Sequence, residues 1–206
     1  EQLDERIADL WDRLVSGKYR SSPVRRKMIP KPNGKERALG IGTVEDRVVQ
    51  TAIKMVLEPI YEQDFKDLSY GFRPGRSAKD ALESLRKQID KGRVNVILEA
   101  DIKGFFDNLD HGWLRKFLQH RIADRGLLRV VGKVLNAGVL DENGRAQRSK
   151  KGTPQGGPLS PLLANIYLHY VLDLWFPWRA RQICRGQATM VRYADDFVMC
   201  FEHSED

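Results

Sequence analysis

An α+β architecture is predicted by three features of this chain. Segments with helical apolar spacing alternate with short β-branched runs. The last two runs, Thr189-Met190-Val191 and Phe197-Val198-Met199-Cys200-Phe201, flank Tyr193-Ala194-Asp195-Asp196, a connection so tight that the strands must be antiparallel and not joined by a crossover. With 206 residues, 41% hydrophobic and 31% charged, the chain is long enough for one good core or two smaller ones.

Leu3, Ile7, Leu10 and Leu14 recur at helical spacing, and Gly17 stops that helix. Val24 to Ile41 reads as extended chain with Pro32-Asn33-Gly34 as its turn, which predicts a hairpin. From Val44, the series Val48, Val49, Ala52, Ile53, Val56 and Leu57 describes a helix limited by Pro59. Ala78, Ala81, Leu82, Leu85 and Ile89 describe another, closed by Gly92. Val94 to Asp101 reads as a strand with Asp101 at its C-terminal end. Helices follow at Trp113 to Ile122 and Leu127 to Leu135. A second hairpin is expected around Asn143-Gly144, then a helix from Leu159 to about Leu174, and last the hairpin at Asp195.

The net charge is +7. Lys18, Arg20, Arg25, Arg26, Lys27, Lys31, Lys35 and Arg37 stand against the single acid Glu36, so one basic segment carries an excess equal to the whole-chain value. Such a balance points to a polyanionic partner. Cys184 and Cys200 form no C-x-x-C pair, and His111, His120, His169 and His203 show no H-E-x-x-H spacing, so neither zinc nor a disulfide framework is indicated. No apolar stretch approaches a membrane span and the acidic start is no signal peptide, so no membrane partner and no secretion are expected, but a reducing cytoplasmic or organellar interior. A start without Met and an end just after a strand read as an excised fragment.

Two adjacent carboxylates at a tight turn repel each other unless a cation sits between them. Magnesium is the natural candidate, being a hard ion that takes one or two carboxylates plus substrate phosphate oxygens, and that points to phosphoryl or nucleotidyl transfer. The plain alternative is that Asp-Asp is good turn chemistry on a solvated surface. Asp101, at a strand end, belongs where ligands of α/β sheets collect. If both elements share a sheet, Asp101, Asp195 and Asp196 converge, and two divalent ions about 3.5–4 Å apart would offset their repulsion and clamp an in-line displacement. In Ile102-Lys103-Gly104-Phe105-Phe106-Asp107, one phenylalanine can wall a sugar pocket or simply fill the core.

Three blocks resemble the polymerase motifs of reverse transcriptases: Ala100 to Asp107, Gly152-Thr153-Pro154-Gln155-Gly156-Gly157-Pro158-Leu159-Ser160-Pro161, and Arg192-Tyr193-Ala194-Asp195-Asp196-Phe197. Two more, Ile29 to Arg37 and Tyr70-Gly71-Phe72-Arg73-Pro74-Gly75-Arg76-Ser77, resemble finger blocks of the group II intron-encoded (maturase) branch. The resemblance implies a right-hand fingers and palm, with an antiparallel palm sheet flanked by helices. It divides the chain into fingers (1–94), a first palm part (95–112), connecting helices and hairpin (113–150) and a second palm part (151–206), with the thumb absent.

Role by role, the resemblance implies Asp101, Asp195 and Asp196 as metal-binding catalytic acids for Mg²⁺, with Mn²⁺ as a substitute. Phe106 matches the aromatic gate against a ribose 2′-OH, Lys31 and Arg37 the triphosphate-holding finger residues, and Gln155 with Gly156 the block lining the nucleotide pocket. Arg73 and Arg76 are expected to face RNA. A Lys point charge and an Arg fork suit a triphosphate, and such catalysis consists mainly of positioning and charge stabilisation. The implied activity is RNA-directed DNA polymerisation, with intron RNA, an RNA template, a DNA primer and dNTPs as partners and a role in splicing. The fragment itself is expected to be weak, and an apolar face left open by the missing thumb to favour a homodimer. A non-catalytic RNA-binding maturase module is the alternative, and an RNA-dependent RNA polymerase a more remote one.

Overall fold

Helical and extended segments alternate in the order α1 (Gln2–Val15), β1 (Val24–Pro30), β2 (Glu36–Ile41), α2 (Val44–Glu62), α3 (Ala78–Lys91), β3 (Val96–Asp101), α4 (Phe105–Asn108), α5 (His111–Gln119), α6 (Arg125–Leu135), β4 (Val139–Leu140), β5 (Ala146–Gln147), α7 (Ser160–Leu168), a π-helical turn (His169–Asp173), α8 (Trp175–Ile183), β6 (Ala188–Tyr193) and β7 (Asp196–Phe201). This computed structural model describes residues 2–30, 34, 36–140, 144–147, 151–153 and 156–206. The fold is α+β, with one sheet ordered β2-β1-β4-β5 and another ordered β3-β7-β6. The chain packs as two units: Glu1–Leu57 with Phe106–Ser160, and Glu58–Phe105 with Pro161–Asp206.

In the first unit, β1 and β2 pair antiparallel from Arg25↔Ile41 to Pro30↔Glu36, which is the expected basic hairpin. The expected second hairpin is β4–β5; its Gly144 takes φ of 75°, and Asn143 lies outside the described residues. β4 also pairs parallel with β1, Val24↔Val139 and Arg25↔Leu140, a two-residue contact that no local pattern announces. Asp46, 2% exposed, anchors the start of α2. It accepts from the Tyr19 hydroxyl at 2.5 Å and the Thr43 hydroxyl at 2.6 Å. Burial, and then Asp46, hold the Tyr19 phenol well above its usual range. α5 and α6 start on Asp110 and Asp124, whose carboxylates accept amide N–H bonds from Trp113 and from Gly126 and Leu127. Their buried faces, Leu114 and Leu118 on α5 and Leu128, Val131, Val134 and Leu135 on α6, drive the two helices together.

α2 runs through Pro59 to Glu62, past the expected stop. Proline forfeits one hydrogen bond and crowds the preceding turn. Here the following turn is held by Tyr61, which is completely buried, so tertiary burial outweighs the local breaker.

In the second unit, β7 is the central strand, antiparallel to β3 from Val96↔Phe201 to Asp101↔Asp196 and to β6 from Ala188↔Phe201 to Tyr193↔Asp196. α3 packs on β6 and opens with a capping box between Ser77 and Asp80. The helix expected to end near Leu174 continues instead: α7 widens into the π turn and resumes as α8 to Ile183. The wider turn buries both His169 and Asp173.

Candidate active site

Asp195 and Asp196 sit where β6 turns into β7. Tyr193 pairs with Asp196, so Ala194 and Asp195 form a two-residue turn. Ala194 has φ of 58°, a conformation that costs an L-residue on the order of 1–3 kcal/mol and persists only where the surroundings enforce it. Gly71 enforces it from one side. A Cβ on Gly71 would lie 2.4 Å from the Ala194 nitrogen, so only glycine permits the approach.

Arg192 enforces it from beneath. This side chain is fully buried, and all five of its N–H donors are engaged. Nε donates to Asp173 Oδ1 at 2.7 Å and Nη2 to Asp173 Oδ2 at 2.5 Å. Nη2 also donates to Ser69 Oγ at 2.7 Å, and Nη1 donates to Asn165 Oδ1 at 3.0 Å and to the Ala194 carbonyl at 2.8 Å. Asn165 Nδ2 donates in turn to the Gly71 carbonyl at 2.7 Å. A buried ion pair is tolerable when every lone pair and proton is matched, and here the matching ties the π turn, α7 and the strands to the acid-bearing turn. Sequence reasoning gives no role to Ser69, Asn165, Asp173 or Arg192. The signal it could have used is a lone charge inside each of two apolar runs, Met190-Val191-Arg192 and Val171-Leu172-Asp173-Leu174, since such charges are rarely buried unless paired.

Asp101 ends β3 directly opposite Asp196 of β7. Cross-strand partners project from one face with Cα atoms about 4.5–5.5 Å apart, and Glu99 two residues earlier shares that face. The Asp196 carboxyl is raised above the usual carboxylate range by burial first, then by the charges of Asp101 and Glu99. Thus Asp101 and Asp196 are brought together and Asp195 adjoins them in the turn. Among the described residues no three His, Cys, Asp or Glu side chains form a group able to enclose a metal ion. The expected three-carboxylate convergence is therefore a cross-strand pair with a neighbour. Two carboxylates still suit Mg²⁺, which fills its octahedron with water and substrate oxygens, and Mn²⁺ accepts the same donors. Such a cation would offset both the burial and the neighbouring charges that raise Asp196.

The nucleotide-binding candidates fall in the first unit. Lys31 and Gln155 lie outside the described residues, and the Arg37 backbone is paired with Ile29 in the basic hairpin. Gly156 has φ of 110°, and a Cβ there would lie 2.7 Å from Leu39 Cδ1, so Gly156 rests directly on β2. The two phenylalanines separate: Phe105 is buried, its ring 6.1 Å from Tyr167 in an edge-on contact. Phe106 is half-buried, and its carbonyl accepts the Thr153 N–H at 2.7 Å. A cavity of about 450 Å³ lies in the first unit, lined among others by Arg26, Glu36, Asp107, Lys151 and Thr153.

Arg73 departs from its expected orientation toward RNA. It is 7% exposed, paired with Glu62 at 2.8 Å, donating to the Lys66 and Ser69 carbonyls and stacked over Phe65. Arg76 pairs with Asp67 at 2.7 Å and lies over Tyr70. Both guanidinium groups organise the loop ahead of α3.

A model of the family described as reverse transcriptase (RNA-dependent DNA polymerase) matches residues 29–206. Protein YkfC of Escherichia coli (strain K12) is 40% identical, over 92% of this chain and 57% of that protein. The group II intron-encoded protein LtrA of Lactococcus lactis subsp. cremoris is 45% identical, over 83% of this chain and 29% of its own length. The chain therefore spans little more than half of the first relative and under a third of the second. Among solved structures, telomerase from Candida albicans in complex with a fragment of telomeric RNA matches with a TM-score of 0.67 at 16% identity, over 91% of this chain and 38% of that one, a likeness of fold alone.

Proposed function

The chain belongs to the reverse transcriptase family, and from that premise we propose that it is the RNA-directed DNA polymerase domain of a group II intron-encoded protein, extending a DNA primer on an RNA template and binding intron RNA in splicing. The observation that carries this reading is the Asp101–Asp196 cross-strand pair beside a turn whose Ala194, next to Asp195, is held at positive φ by buried groups. Asp101, Asp195 and Asp196 would hold Mg²⁺, which when bound lowers the barrier to attack by the primer 3′-OH and neutralises charge on the departing pyrophosphate.

The protein's own contribution is placement. The buried Arg192 keeps the turn from yielding as the phosphates arrive, because moving it would strand several buried donors. The basic hairpin, with Lys31 and Arg37, supplies counter-charge to the triphosphate. Phe106 supplies the steric check on the sugar, and Gln155 with Gly156 line the nucleotide pocket. Phe106→Val is expected to relax discrimination against ribonucleotides.

Template-dependent dNTP incorporation by the protein and its Asp195→Asn variant tests the reading. A fall of about 10²–10³-fold with RNA binding retained is expected, the scale on which removing one group that stabilises transition-state charge acts. Equal rates would take Asp195 out of the chemistry and leave a non-catalytic RNA-binding module.

A further inference from the structure

Arg115 of α5 and Arg125, Arg129 and Lys133 of α6 line one cavity of about 680 Å³ together with His111, and among the described residues no carboxylate lines it. Taking its polyanion from the reading above, we propose that this cavity is a docking site for the phosphodiester backbone of RNA, a nucleic-acid contact beyond the nucleotide and metal residues.

The cations there are uncompensated. Among the described residues Arg115, Arg125 and Arg129 have no acidic partner, and the adjacent Asp124 is turned onto the amides of Gly126 and Leu127. Lys133 donates to the Gly17 carbonyl at 2.7 Å, and burial and then the charges of Arg20 and Arg129 hold it below the usual lysine range. Like charges gathered against the buried apolar floor of Leu118, Leu128, Val131 and Leu135 focus a positive potential.

Spacing selects the ligand. Arg125, Arg129 and Lys133 recur every four residues, so they form a row about 12 Å long on one helical face. A nucleic-acid strand carries a charge about every 3.4 Å of duplex axis, so the row spans roughly three to four phosphates, too long for inorganic phosphate alone. His111 stands at the wall. Its Nε2 donates to the Gly152 carbonyl, while Nδ1 is shielded from solvent with no partner among the described residues. Arg73, by contrast, is buried against Glu62, and Arg76 pairs with Asp67.

Fluorescence anisotropy with a labelled RNA of about 20 nucleotides, across a salt series, tests the site on the full chain. Arg125→Gln with Arg129→Gln is expected to weaken binding roughly tenfold near 0.1 M salt and to flatten the salt dependence by about 1.4 logarithmic units per decade, 0.7 for each phosphate no longer neutralised. The control pair, Arg86→Gln with Lys87→Gln on α3, is expected to change affinity less than about twofold, since each cation already has a helical acid partner. Unchanged binding by the α6 pair, or an equal loss from the control pair, overturns the site. So does displacement of the RNA by polyglutamate or inorganic phosphate at matched charge. The polymerase reading is scored separately: if Asp195→Asn leaves incorporation unchanged while the α6 pair loses RNA, that reading falls and this site stands.

Discussion

Two arginine sites, one in each unit, are handled in opposite ways. In the unit that holds β3, β6 and β7, Arg192 has no exposed surface and each donor meets an acceptor in the protein. In the unit that holds α5 and α6, Arg125 and Arg129 are exposed and face a cavity without an acid. A guanidinium spent on protein acceptors fixes geometry, and one left uncompensated is available to an anion. The acids of β7 need the first treatment, because two like charges do not stay side by side on a yielding turn.

The sharpest way to break this contrast is to remove the buried partner. Arg192→Gln leaves Asp173 buried and ionised without its counter-charge, and a loss of about 3–5 kcal/mol in urea unfolding is expected. Arg192→Met with Asp173→Leu should recover only part of it, because the ion pair is removed together but the buried Ser69, Asn165 and Ala194 acceptors lose their donor. A single-variant loss under about 1 kcal/mol, the range of exposed pairs, would show that the network does not brace the turn.

How far this contrast was legible in the sequence follows from the range of the forces involved. Asp101 at a strand end and Asp195-Asp196 at a tight turn are local statements, fixed by β-branched runs and turn chemistry within a few residues. Their register, Asp101 opposite Asp196, follows once both strands share a sheet. Arg192 meeting Asp173 depends on a π turn that re-aims one side chain, and no hydrophobic period encodes that. Pro59 inside α2 and the two-residue parallel contact of β4 with β1 are likewise tertiary decisions. Arg73 misled for a related reason: an arginine in a Gly-Pro loop carries the same local signal whether it faces solvent or Glu62.

A smaller effect is expected at the acids themselves. The raised Asp196 carboxyl binds its proton more tightly in the folded protein than in the unfolded chain, so its contribution to stability is present at low pH and lost as pH rises through the folded value. Asp196→Asn should therefore melt above the wild type at neutral pH in EDTA, with the gap closing below about pH 4. Added Mg²⁺ should raise the wild-type melting temperature more than the variant's. Identical melting curves at every pH, with no response to the metal, would show that repulsion at the pair carries no energetic weight.

The smallest effect belongs to the row on α6. Arg125 and Arg129 are exposed and Lys133 is half-buried, all at helical spacings of four, where like charges destabilise by about 0.2–0.5 kcal/mol per pair. Arg129 is common to both pairs, so Arg129→Gln removes both repulsions while keeping a residue of similar helix propensity. The variant is expected to be more stable than wild type by a few tenths of a kcal/mol at low ionic strength, and equal to it near 1 M salt, where the screening length is about 3 Å. The sign matters more than the size. A chain that gives up stability to keep three cations in line holds them there for something other than folding, whereas a loss of stability in Arg129→Gln at low salt would show that the arginine has a protein partner and that the contrast between the units is not one of charge.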